Sequence, residues 1–126
     1  MEDILDVLVV GAGPTGLACA IEATRSNFEV LVIEKGCLVN SLFSYPPGMT
    51  FFTTRERLEI GDIPFTSVNV KPTRAEALEY YRGVAEYYRL PIHYQERVAA
   101  VHGSDGNFEG HTQTTDGSEW PTAHAR

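Results

Sequence analysis

At 126 residues the chain is about one domain long, and 43% hydrophobic with 21% charged residues is the composition of a globular protein able to bury one core. A formal net charge of −7 without a basic stripe or charge block excludes nucleic acid and anionic membrane surfaces as partners. Met1-Glu2-Asp3 is acidic where an export signal is basic, and the first apolar run ends at Val10, so no secretory leader or membrane span is expected and the location expected is cytoplasmic. Cys19 and Cys37 form no C-x-x-C pair, which predicts reduced thiols rather than a disulfide or a zinc site.

Val7-Leu8-Val9-Val10 is a short, mostly β-branched run followed at once by Gly11-Ala12-Gly13-Pro14-Thr15-Gly16. A helical stretch to about Ser26 comes next, and Val30-Leu31-Val32-Ile33 forms a second apolar run closed by Glu34. This order predicts a buried strand, a turn, a helix and a parallel strand, with an acid about twenty residues beyond the glycines. Each glycine has a physical task. Gly11 permits the tight turn, Gly13 lets backbone approach a diphosphate, and Gly16 lets the helix lie close to the sheet. The helix N-terminus offers orphan amides and a favourable dipole, so the phosphates need no cationic side chain. Glu34 accepts from ribose hydroxyls and repels a 2′-phosphate, so this site is expected to take NAD or the adenosine half of FAD and to reject NADP. The alternative for the turn is a glycine bend that serves packing alone.

The first helix is expected to bury Gly13, Leu17, Ala20, Ile21 and Thr24, with Cys19 turned away. Residues 35–72 form a long irregular stretch whose aromatics, among them Phe43, Phe51, Phe52 and Phe65, are too many for disorder, so it is expected to pack down and wall a pocket. Residues 73–89 read as a second helix opened by a Thr73/Glu76 capping box, with Ala77, Leu78, Tyr81, Val84, Ala85 and Tyr88 as its buried stripe. Ile92-His93-Tyr94 completes a βαβαβ order as a third parallel strand. From residue 97 onward three alternating segments, separated by Ser104-Asp105-Gly106 and Asp116-Gly117, predict an antiparallel β-meander. The pattern stops at Arg126 before a strand that returns to the parallel sheet, which reads as a fragment or as a protein truncated at a domain seam.

These residues resemble the N-terminal part of thioredoxin-reductase-like flavoproteins with two dinucleotide-binding domains, and among them the bacillithiol disulfide reductase family. The likeness rests on the Gly11 to Gly16 turn, VIEKG at 32–36, VNS at 39–41, TFF at 50–52, LEIGD at 58–62, Lys71-Pro72 and Tyr80-Tyr81-Arg82. It covers about the first hundred residues, and the meander by pattern only. The implied fold is α/β: a Rossmann-like FAD-binding domain with a three-stranded antiparallel meander. Residues 1–126 then form the N-terminal part of an FAD/NAD(P)-binding domain, with the dinucleotide-binding βαβαβ unit at 1–96, a flavin-side loop at 35–72 and the meander at 97–126.

The resemblance implies FAD diphosphate at Gly11, Gly13, Pro14, Thr15 and Gly16, ribose at Glu34 with Lys35 beside it, Asn40 and Ser41 toward the flavin, and the Val98 backbone at the adenine edge. It also implies NADPH or NADH as electron source in the whole enzyme and a disulfide or small molecule as acceptor. A homo-oligomer is compatible with it. One departure stands out: the bacillithiol reductases carry a cysteine after the proline of the turn, and this chain carries Thr15. With a second glycine fingerprint missing from these residues, the fragment alone is expected to be inactive. No residue is assigned as catalytic or metal-binding.

The remaining polar groups have plainer readings. Cys19, Cys37 and the four histidines read as packing or surface residues, and Arg55, Glu56, Arg57 and Glu59 as a solvated mixed-charge face. Lys71 and Arg74, flanking the second helix, are candidates to meet a partner domain or a nicotinamide cofactor. Two other functions compete with the reductase: a flavin monooxygenase, whose opening fingerprint is similar, and a non-catalytic module that binds adenine nucleotide.

Overall fold

The computed structural model describes residues 4–126, so Met1 to Asp3 lie outside the described residues. The opening segment forms two short strands in line, β1 (Ile4–Leu5) and β2 (Val7–Val10). After the glycine turn comes α1 (Pro14–Arg25), and β3 (Val30–Ile33) then runs parallel to β2, with Val7 opposite Val30 and Val10 opposite Ile33. The apolar, β-branched composition of both strands suits a sheet covered on its faces. β4 (Ile92–His93) pairs parallel on the far side of β3, so the order β2-β3-β4 completes the expected βαβαβ unit.

α1 buries Leu17, Ala20 and Ile21 as the helical period predicts, and Ala23 joins them. Thr24 is only half-buried, and Cys19 is exposed on the opposite side, as expected. The second helix, α3 (Arg74–Tyr87), has both halves of its capping box: Thr73 Oγ1 accepts from the Glu76 amide, and the Glu76 carboxylate accepts from the Thr73 amide. Its buried stripe is Ala77, Tyr81, Val84 and Ala85, while Leu78 and Tyr88 sit at the edge.

The long connection at 35–72 contains one turn of α-helix, α2 (Asn40–Phe43), and a 3-10 turn at Arg55–Arg57, and folds down onto α3. Tyrosines of α3 organise it. The Tyr80 hydroxyl accepts from the Ile60 amide and donates to the Ile63 carbonyl, and its ring stacks on Phe65 with centroids 4.4 Å apart. The Tyr81 hydroxyl donates to the Leu58 carbonyl at 2.8 Å. The expected wall of aromatics is therefore partly built: Phe65 is buried and Phe51 half-buried, but Phe52 is 94% exposed.

The mixed-charge segment is not simply a solvated face, because two of its members hold the loop. Arg55 donates to the Ser67 and Asn69 carbonyls, and Glu59 accepts from the Phe65 amide. Sequence shows the charges but not the backbone groups they meet.

Arg74 likewise turns inward. Its guanidinium donates to the carbonyls of Leu42 and Phe43 and lies over the Phe43 ring, so it caps the C-terminal end of α2 instead of standing free for a partner. Arg74→Ala is expected to cost about 1–2 kcal/mol and to loosen α2 selectively. Amide hydrogen exchange should rise at residues 42–45 while β2 and β3 keep their protection; unchanged exchange at 42–45 contradicts this role.

The meander is β5 (Glu96–Ser104), β6 (Asn107–Thr114) and β7 (Thr122–Ala125). β5 and β6 pair antiparallel from Glu96–Thr114 to Ser104–Asn107, with a bulge between Val98 and Ala100. β7 pairs antiparallel with β6 and, on its other edge, parallel with β1, with Ile4 opposite His124 and Leu5 opposite Ala125. That second ladder is one the sequence does not announce. β7 joins β1 to the meander as a four-stranded sheet, β1-β7-β6-β5, separate from the parallel sheet β2-β3-β4, and the Arg126 amide donates to the Leu5 carbonyl. Thr122-Ala123-His124-Ala125 is short and half polar, so its pattern reads as a meander edge and conceals the parallel partner.

Candidate functional site

The glycine turn follows β2 directly. Gly11 sits at φ +100°, a left-handed conformation that a side chain would resist, and its amide donates to the Ile33 carbonyl at 2.9 Å. A Cβ on Gly16 would lie 2.0 Å from the Gly11 carbonyl oxygen and 3.3 Å from Val9 Cγ1, so only glycine lets the first turn of α1 rest against the turn below it. Gly13 differs from both. It is the N-cap of α1 at φ −79°, and a Cβ there would meet nothing within 4 Å. No side chain caps this helix, so the first-turn amides open onto the space in front of Gly13. A diphosphate fits that space and those donors.

Glu34, at the end of β3, is 6% exposed, and its carboxylate enters the same crevice. Oε1 accepts from the Ala12 amide at 2.9 Å and Oε2 from the Gly36 amide at 2.6 Å. Carboxylate and glycine turn are thus in direct contact. They share a cleft of about 320 Å³ whose walls include Val10, Gly11, Lys35, Arg97 and Val98. A second cleft of about 360 Å³ shares Lys35 and Arg97 and continues past Gly36 to Asn40, Gln113 and Thr115. Burial, with the charges of Cys37 and Glu34 adding to it, pushes the nearby Tyr94 phenol up, so it stays a hydrogen-bond donor.

The structure therefore brings Gly11, Glu34, Lys35 and Val98 to one cleft. Asn40 stands in the adjoining cleft, where its Oδ1 accepts from the Cys37 amide and thiol, both at 3.3 Å. Pro14 and Thr15 line a separate hollow with Leu42, Phe51, Arg57 and Tyr81. Ser41 is exposed on α2.

Two residues escaped sequence reasoning. Arg97 lines both clefts, yet in an alternating strand it looks like any solvent-facing cation. Val39 adopts φ 45°, ψ 49°, a left-handed conformation costly for a β-branched residue, while 1% exposed. Its amide donates to the Ala12 carbonyl at 2.8 Å, so the strained residue ties the start of α2 to the glycine turn.

The histidines sit nearer to carboxylates than their spacing suggests. His93 lies 3.5 Å from Glu96, His111 is 3.5 Å and His124 4.0 Å from Glu109, and His102 contacts the His111 ring. Among the described residues no group of three or more His, Cys, Asp or Glu side chains is placed to hold a metal, and no helix is long and apolar enough to cross a membrane.

The profile of the family described as Pyridine nucleotide-disulphide oxidoreductase matches residues 8–118. The chain belongs to this family. It is 48% identical over 79 residues to the bacilliredoxin reductase Bdr of Bacillus subtilis (strain 168), covering 63% of this chain and 24% of that protein. The bacillithiol disulfide reductase of Bacillus cereus superposes with a TM-score of 0.92 at 39% identity over 98% of this chain and 38% of that one. A flavin-containing monooxygenase from Stenotrophomonas maltophilia superposes with a TM-score of 0.84 at 24% identity, over 99% of this chain and 37% of that one, a likeness of fold alone. The chain thus spans well under half the length of these relatives, and its fold is the Rossmann-like fold expected from the sequence.

Proposed function

We propose that this chain is the FAD-binding portion of an NAD(P)H-dependent flavin oxidoreductase that reduces a low-molecular-weight or protein disulfide. The observation that carries the reading is the contact between the Glu34 carboxylate and the glycine turn across one crevice, in a chain of this family. The open space at Gly13 and the uncapped first turn of α1 hold the diphosphate; Glu34 holds the ribose; Lys35 and the Val98 backbone flank the adenosine. Asn40 and Ser41, with Pro14 and Thr15, stand on the way to the flavin. When bound, FAD supplies the two-electron transfer from nicotinamide to acceptor, while the protein supplies position and electrostatics.

NADPH or NADH as electron source, and a disulfide as acceptor, are parts of this proposal that rest on the family and on the names of the Bacillus relatives. The identity of 39% with the disulfide reductase, against 24% with the monooxygenase, supports the reductase reading. Titration of the full chain with FAD, ADP and FMN tests the cofactor assignment. FAD and ADP are expected to bind and FMN, which lacks the adenosine half, to bind far more weakly; binding of NAD with none of FAD contradicts the assignment. In the whole enzyme, anaerobic NADPH is expected to bleach the flavin and a disulfide to restore its colour. Oxygen uptake coupled to substrate hydroxylation establishes the monooxygenase instead.

A further inference from the structure

The meander lies over one face of the parallel sheet, and the residues it turns toward that face are small. Gly110 stands opposite Ala123 in the β6–β7 ladder, and Thr112 follows two residues on, on the same side. Over β2 the two sheets touch, since a Cβ on Gly110 would lie 2.8 Å from Leu8 Cδ2. Over β3 and β4 they part. A cleft of about 300 Å³ opens there, with Leu5, Leu31, Ile33, His93, Glu96 and Ala123 among its walls.

This mostly apolar cleft holds one carboxylate. Glu96 is 8% exposed, and its Oε2 accepts from the Thr112 hydroxyl at 2.7 Å. That hydroxyl has a single hydrogen and also faces the Pro121 carbonyl at 3.2 Å, so Glu96 has it only in part. Among the described residues Oε1 accepts no hydrogen bond, and no lysine or arginine pairs with Glu96. His93 Nδ1 lies 3.5 Å from Oε1, on a side chain 56% exposed. Buried carboxylates are ordinarily paired with a cation or fully hydrogen-bonded. Glu96 has room for a further donor.

We propose that this cleft binds a small apolar molecule carrying a primary ammonium group, with Glu96 as its anchor. An ammonium has three donors and no acceptor, so it gives one hydrogen to Glu96 Oε1 and another to the ring nitrogen of a neutral His93. The hydrocarbon part lies against Leu31, Ile33 and Ala123. An apolar cavity of about 150 Å³ holds a benzene ring, so this cleft takes a ring on a short tether. A neutral molecule of the same shape forgoes the charge-assisted hydrogen bond, and an anion meets a like charge. The glycine turn and Glu34 are not among the walls, so the proposal does not rest on the dinucleotide reading.

Titration of the full chain with 2-phenylethylamine, 2-phenylethanol and phenylacetate, followed by amide chemical shifts, tests it. The amine is expected to bind with a Kd on the order of 1 mM or lower and to shift Leu31, Glu96 and Ala123. It should bind at least about tenfold more tightly than the alcohol, and phenylacetate more weakly than either. No saturable binding of the amine, equal affinity for amine and alcohol, or shifts confined to other residues overturns the proposal. Saturating ADP is expected to leave the amine in place; displacement by ADP overturns the location.

Two variants separate the anchor from the space. Glu96→Gln keeps the shape and is expected to lose the preference for the amine, while Ala123→Leu fills the cleft and is expected to bind neither amine nor alcohol. A preference retained in Glu96→Gln, or binding retained in a folded Ala123→Leu, overturns the proposal. If Glu96→Gln does not fold, the parent protein still decides. The side-chain carboxyl carbon of Glu96 is expected to shift with the amine and to stay nearly still with the alcohol, and no shift with the amine overturns it.

Discussion

Gly13→Val is expected to give a folded protein that no longer binds FAD, whereas Gly16→Val is expected not to reach the native fold. The two glycines lie three residues apart in one turn, yet the structure gives them opposite problems. At Gly16 a side chain meets backbone, with the Gly11 carbonyl oxygen 2.0 Å from the first added atom. Relief requires α1 to move off β2, and overpacking of this kind costs about 3 kcal/mol or more, a large part of the 5–15 kcal/mol typical of a small domain. At Gly13 the φ of −79° suits any residue and the added atoms project into open space, so the loss on folding is limited to a poorer helix cap, about 1 kcal/mol. That open space is where we place the diphosphate. The isopropyl group fills it, and affinity for FAD should fall by at least about 100-fold, equivalent to roughly 3 kcal/mol. Circular dichroism and FAD titration on the two variants check this pair; a folded Gly13→Val that binds FAD as the parent does contradicts the site.

The largest expected loss of stability away from the turn is at Tyr81. This side chain is 1% exposed, packs its ring edge-on to Tyr80 and donates its hydroxyl to the Leu58 carbonyl, so one residue joins α3 to the long connection. Tyr81→Ala is expected to cost about 3–5 kcal/mol, and Tyr81→Phe, which keeps the ring and leaves a carbonyl unpaired, about 1–2 kcal/mol. The same burial pushes the Tyr81 phenol from its ordinary 10 up to about 12, with the charge of Tyr80 adding to the effect. The folded state then holds this proton more tightly than the unfolded state does. Its contribution is complete below about pH 10 and lost as the pH rises toward 12. Thermal unfolding of parent and Tyr81→Phe should show the parent losing its advantage across that interval; an advantage that persists above pH 12 contradicts the assignment.

Much of this site can be read from the chain, and the boundary of what can be read has a physical cause. The glycine turn, the two apolar strands and the capping box at Thr73 and Glu76 are local features, each set by residues within a few positions of one another. The structure reproduces all three. Contacts between distant segments are not written in any period. β7 reads as a meander edge because its alternation describes one neighbour, β6, while its other neighbour, β1, lies about 120 residues earlier. Arg74 reads as available for a partner and Arg55 as solvated because a cation carries no mark of the carbonyl it will meet. Val39 shows the limit most clearly, since valine argues for extended backbone and the surrounding core forces it left-handed. Glu34 falls between these cases: its position announces a ribose acceptor, but its grip on Ala12 and Gly36 emerges only in three dimensions.

The central claim is that amides at the start of α1 hold a diphosphate while Glu34 holds the sugar beyond it. Amide chemical shifts of the full chain, followed during titration with FAD, ADP and adenosine, test it most directly. FAD and ADP are predicted to shift the Gly13, Thr15 and Gly16 amides strongly, and adenosine, which has no phosphate, to move residues around Glu34 and Val98 while leaving that trio nearly still. Saturation with FAD that leaves the Gly13, Thr15 and Gly16 amides unmoved would contradict the account.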